Sequence, residues 1–235
     1  MSSIQSASFP TGESGEPVAA QIYLQPIAAP SVLGLYAFAG ATFIVAARMA
    51  HWFGGALTDD YLAAFAAVFG GIAQFSAGMW AFKARDSIAT AMHGTWGSFW
   101  IAYGLLQLAF MTKILPEPAG AFPALGFWFI VLAAITWMGM WAATAENKLL
   151  AIVLGLLAAG STVAVFGELL GAGWIQMFAG YLFILSAIFA WYTASAMMLE
   201  SAFHRSVVGV GKTVRAKQAP NLMPGQGEPG VIRGQ

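Results

Sequence analysis

The chain has 235 residues, 59% of them hydrophobic and 9% charged, with a formal net charge of zero. So little charge cannot cover a soluble domain of this size, and without a broad basic surface no nucleic-acid partner is expected. Cysteine is absent, which excludes disulfides, thiolate metal sites and cysteine nucleophiles together.

Residues 1–30 are polar, acidic and proline-containing, without the basic-then-apolar order of a cleavable signal peptide, and read as an N-terminal tail and entry segment. Six apolar runs follow: Ser31 to Trp52, Tyr61 to Phe82, Ala89 to Thr112, Ala124 to Ala143, Leu149 to Gly167 and Trp174 to Leu199. All ten prolines lie outside them, so each run can be an unbroken helix. At about 1.5 Å rise per residue each crosses a hydrocarbon layer of roughly 30 Å. The fifth run is the shortest and most aliphatic; the last has length to spare. The fold class expected is therefore all-α, a polytopic membrane protein with six transmembrane helices per protomer over residues 31–200. Short connections predict antiparallel neighbours, and Lys113 to Pro123 reads as a rigid surface loop. Residues 201–235 form a predicted cytoplasmic tail; both tails have a composition that fits disorder.

Basic residues set the expected orientation. With the N-terminus in the cytoplasm, Lys83, Arg85, Lys148, Arg205, Lys212, Arg215 and Lys217 gather on that side, leaving Arg48 and Lys113 opposite. A multi-pass protein of the inner or plasma membrane follows, with both termini cytoplasmic.

Within the second run, Gly70, Gly71, Gln74 and Gly78 recur at helical intervals, and steps of three and four put Gly71, Gln74 and Gly78 on one face. The glycines suit close helix packing, as do Gly34 and Gly180 elsewhere. Gln74 carries an amide that lipid cannot satisfy, so it is expected to face another helix or an aqueous path. In the third run, Trp96, Phe99, Trp100 and Tyr103 suit either an aromatic belt and core or a narrowed passage. His93 near the start of that run is expected to be solvated or hydrogen-bonded.

The runs hold no central Asp, Glu or Lys to serve as an obvious proton relay; Arg48 and Glu168 sit near helix ends, within reach of the interface. Three dispersed histidines without cysteine argue against a metal or haem site, and no phosphate loop or nucleophile–base pattern is present, so no cofactor and no enzyme activity are expected. What remains is a small-solute transporter or channel, or a non-transporting structural or sensor membrane protein.

The stretch from Gln25 through Pro26, Pro30, Gly34 and Leu35 to Phe38 resembles the entry signature of the acetate uptake transporter family, which includes the succinate–acetate permeases. Phe69 to Met79, Thr95 to Trp100 and Phe178 to Tyr181 match its later helices in the same order, so the resemblance runs from about Pro26 to Glu200. It implies a six-helix protomer, often a homo-hexamer with one pathway per protomer, carrying acetate and other short carboxylic acids such as succinate, with proton coupling in some members and channel-like passage in others. The family's apolar constriction falls on Phe38, Trp96 and Leu157. The substrate path would include Gln25, Leu35, Gln74 and Trp100, with Ala190 at a small position that affects substrate range. Two departures stand out. The entry motif is spaced differently around Gln25, and tryptophan replaces tyrosine at position 96, removing a hydroxyl and adding volume.

Overall fold

A computed structural model describes residues 28–55 and 57–213; Gln25 and the basic Arg215 and Lys217 lie outside the described residues. Six long helices are present among them: α1 (Pro30–Met49), α2 (Thr58–Ala84), α3 (Ser87–Met111), α4 (Pro123–Ala143), α5 (Lys148–Leu170) and α6 (Gly173–Phe203). Their starts follow from local chemistry. Pro30 and Pro123 occupy first-turn positions where no backbone N–H is needed. Asp86 caps α3 by accepting from Ala89 N at 2.8 Å, and Asn147 caps α5 by accepting from Leu150 N at 2.8 Å. At the far end of α5, Gly171 has φ of +60°, and a Cβ there would sit 2.8 Å from Ala121 N in the loop before α4.

Five of the helices are long and apolar enough to cross a bilayer. The other, α3, has the length at 25 residues; its apolar character is diluted by residues such as His93 and Trp96 that are buried inside the bundle. The expected order of lengths is corrected: α5 has 23 residues and α1, with 20, is the shortest. The apolar run stops at Glu168, but the helix continues through it.

Sequence neighbours do not always pack together. α1 lies along α6, α6 along α5 and α5 along α4, while α2 pairs with α3 and α1; α3 and α4 touch only lightly. Small residues permit these close approaches. A Cβ at Gly180 would lie 2.9 Å from Ala46 O on α1, and one at Gly78 2.6 Å from Gly94 N on α3. Gly71 abuts Ile101, Gly70 abuts Ala41 and Trp100, and a Cβ at Gly34 would meet the His93 ring at 2.5 Å.

Two sequence expectations change. First, Ala66–Ala73 of α2 is π-helical, so the α-steps that placed Gly71 with Gln74 do not hold there; regular α-turns resume at Gln74. The wider turns leave Val68, Phe69 and Ile72 exposed and Gly70, Gly71 and Gln74 buried. Second, the predicted tail beyond residue 200 is ordered to residue 213. α6 runs to Phe203, and the following segment docks on the α4–α5 connection. Lys148 N and Leu149 N donate to Gly211 O and Val210 O at 3.0 and 3.2 Å, and Thr213 Oγ1 donates to Ala145 O at 2.6 Å. Together with Asn147, this supplies acceptors to the otherwise orphaned first turn of α5. Lys212 also pairs with Glu200 at 2.6 Å.

Candidate functional site

Two cavities lie within the bundle, toward opposite ends of the helices. The larger, about 370 Å³, lies toward the end where α1 finishes and α2 begins, and Arg48, Asp59, Trp100, Glu168 and Gln176 are among its lining. The smaller, about 80 Å³, lies toward the opposite end, where Ser31, Asp86, Glu146 and Asn147 sit; Leu35, Phe38, Gln74 and His93 line it deeper in. The two linings have only Trp96 and Leu157 in common.

Those shared side chains are firmly held. Trp96 is 3% exposed, its ring sits edge-on to Phe38 with centroids 6.4 Å apart, and it packs on Phe99 at 5.3 Å. Its indole N–H donates to Thr136 Oγ1 at 3.0 Å, while the Thr136 hydroxyl donates to Leu132 O at 2.6 Å. Thr136 thus fixes the indole orientation, a role that sequence reading missed; a lone hydroxyl in the middle of apolar α4 was the available signal. Leu157 is buried on α5 and Phe38 on α1, so three helices bring these apolar groups together.

Of the other expected path residues, Leu35 and Gln74 line the smaller cavity and Trp100 the larger. Ala190 does not join them: it is fully buried in the core of α6 and lines neither cavity, because that face of α6 packs inside the bundle. His93 is also corrected. Instead of being solvated it is buried against Gly34, and its Nδ1 has no hydrogen-bond partner.

The unpartnered buried atoms differ between the cavities. Trp100 Nε1, Thr42 Oγ1 and Arg48 Nε belong to the larger one and all can donate. Gln74 Oε1 and His93 Nδ1 belong to the smaller one; the amide oxygen accepts, and so does Nδ1 when the proton is on the other ring nitrogen. Arg48 also pairs with Asp59 at 3.2 Å, and Gln176 donates to Glu168 at 3.0 Å. Sequence reading left Arg48 and Glu168 within reach of the interface; both also line the larger cavity.

At the mouth of the smaller cavity, burial, reinforced by nearby Asp86, pushes the Glu146 carboxyl up to about 7. No lysine or arginine is in that lining.

Residues 11–210 match the GPR1/FUN34/yaaH family. The succinate-acetate/proton symporter SatP of Escherichia coli K12 is 25% identical over 187 residues, covering 80% of this chain and 97% of SatP. The acetate transporter protein patA of Aspergillus clavatus is 26% identical over 196 residues, covering 76% of each chain. The solved structure of the bacterial acetate channel SatP superposes with a TM-score of 0.71 at 24% identity, covering 79% of this chain and 100% of that one.

Proposed function

The chain belongs to the GPR1/FUN34/yaaH family of membrane proteins, and on that premise we propose that it conducts acetate and other short monocarboxylates, with succinate as a larger cargo, across the membrane. The observation that carries this reading is the pair of cavities toward opposite ends whose linings share only Trp96 and Leu157. Phe38, Trp96 and Leu157 then form an apolar restriction between two chambers. A solute passes it when the rings yield or when it sheds its charge, since moving a bare carboxylate through such a gap is prohibitive. The relatives SatP and patA, named for acetate, support the choice of cargo.

In the larger chamber, Trp100 Nε1, Thr42 Oγ1 and Arg48 supply the donors that a carboxylate needs. Gln74 accepts a hydrogen bond from the acid on the other side of the restriction, with Leu35 forming part of the apolar wall. Ala190 tunes cargo size indirectly, through the packing of α6.

The same proposal includes orientation and assembly. The end carrying Lys83, Arg85, Lys148 and Lys212 faces the cytoplasm. Exposed Phe127, Trp141 and Trp191 give the broad apolar exterior that lipid and neighbouring protomers of a homo-hexamer cover. A conduit of this kind releases its cargo with its carbon skeleton unchanged, so no enzymatic role is assigned.

Labelled acetate uptake into proteoliposomes, with lipid-only vesicles subtracted, tests the reading. Phe38→Ala and Leu157→Ala are expected to admit lactate and succinate better relative to acetate. Wild-type protein that carries no short acid removes the proposal, and unchanged size selectivity in both variants removes the restriction.

A further inference from the structure

His93 lies on α3, facing the smaller cavity, and three observations set it apart. It is 5% exposed and its Nδ1 is unpartnered. The Gly34 backbone closes over its ring, so the imidazole is confined and cannot swing away cheaply. The charged groups that line the same cavity are Asp86, at the start of α3, and Glu146, in the α4–α5 connection. From α1 the ring meets Gly34, and the cavity it lines adds Gln74 from α2 and Thr193 from α6, none of which is charged. A polar pocket walled by acceptors and carboxylates repels a carboxylate anion but welcomes a neutral acid, which brings its own O–H donor.

We propose that the smaller cavity is a proton-exchange chamber, in which His93 takes the proton from a neutral short-chain acid arriving through the restriction and Glu146 hands it to water at the mouth. The inference rests on the transport reading above and specifies where protonation changes. The carboxylic acid O–H breaks as the His93 Nδ1–H forms, leaving a carboxylate and an imidazolium. The imidazolium then returns the proton through the cavity to the Glu146 carboxylate, and the resulting acid releases it to solvent. Charge and protons balance at each step, and every step reverses when the gradient reverses. The Glu146 carboxyl, raised by burial to about 7, is suited to exchange a proton with water at the mouth near neutral pH.

The experiment measures the rate of acetate-linked proton movement. Full-length protein is reconstituted in vesicles containing a pH-sensitive dye, labelled acetate is added across an imposed proton gradient, and lipid-only vesicles are subtracted. Because the acid crosses the restriction neutral, one proton accompanies each acetate in every variant, and the rate is what reports on the acceptor. In His93→Gln the rate is expected to fall by roughly tenfold or more. Glu146→Gln is expected to lower it less, with loss of its pH dependence near pH 7, and His204→Gln, at the exposed end of α6, not at all. A wild-type rate in His93→Gln overturns the proposal. Should that variant fail to fold, a wild-type rate and pH profile in Glu146→Gln overturns it instead. Wild-type protein that carries no acid sinks this inference together with the transport reading, whereas wild-type protein that carries acid while both variants keep its rate sinks this inference alone.

Discussion

Carboxylates line both cavities, but their unpartnered buried atoms differ: donors, beside a guanidinium, in the larger one, and acceptors, with no lysine or arginine in the lining, in the smaller one. Both are bounded by Trp96 and Leu157, so the contrast is drawn across little more than one layer of side chains. A symmetric tube would hold its cargo in one chemical form throughout. In the proposed route the two sides handle different forms, the anion held by the free donors near Arg48 and the neutral acid received by Gln74 and His93. The difference teaches that an apolar restriction need not be a passive sieve: with free donors on one side and free acceptors on the other, it can divide two protonation states of one small molecule.

Plugging the shared boundary is the harshest way to break that contrast. Leu157→Trp fills the space between the chambers and is expected to cut acetate flux by about two orders of magnitude. Overpacking costs about 1–3 kcal/mol of stability; vesicle uptake at matched protein content checks the flux, and undiminished flux would place the route elsewhere. Removing the guanidinium comes next. Arg48→Gln is expected to raise the half-saturating acetate concentration roughly tenfold, equivalent to about 1.4 kcal/mol, with the maximal rate less affected and the wild-type advantage shrinking in high salt.

Thr136→Val tests whether a fixed indole defines the boundary. It removes the acceptor 3.0 Å from Trp96 Nε1 and strands a buried donor, at a cost of about 1–3 kcal/mol. A lower melting temperature in detergent and looser discrimination between acetate and lactate are the expected readouts.

The gentlest test concerns Glu146. Its carboxyl is raised by burial to about 7, so the folded state holds a proton more tightly than the unfolded chain. The resulting stability is fully present below the ordinary carboxylate range and is lost as pH rises through about 7. Thermal melts at pH 5 and pH 8 are expected to show that decline in the wild type and a flatter response in Glu146→Gln.

Much of the helical plan was legible because proline placement and apolar length are enough to define spans in lipid. Pro30 and Pro123 lie at helix starts, and every predicted run falls on one of the six helices, with ends shifted by a few residues. Phe38, Trp96 and Leu157 come from three separate helices, and no spacing rule links them; only the family resemblance brought them together in advance. The polar character of the cavities was not legible. Arg48 and Glu168 lie near helix ends, where sequence alone sends them to the interface, and whether such a group points outward or into the bundle depends on crossings between distant helices. The π-helical turns of α2 were hidden for a different reason: they change register without any proline or charge to mark them. The order of residues 209–213 was missed because their glycine-rich composition says nothing about the acceptors that the start of α5 needs.

That docked segment has a mechanical consequence. Thr213 is tied by its hydroxyl and its amide to Ala145 and Glu146, so tension on the polypeptide beyond it reaches the rim of the smaller chamber before any other part of the bundle. Whatever grips the far C-terminus, whether a tether, a fused protein or a surface, holds a drawstring on that aperture.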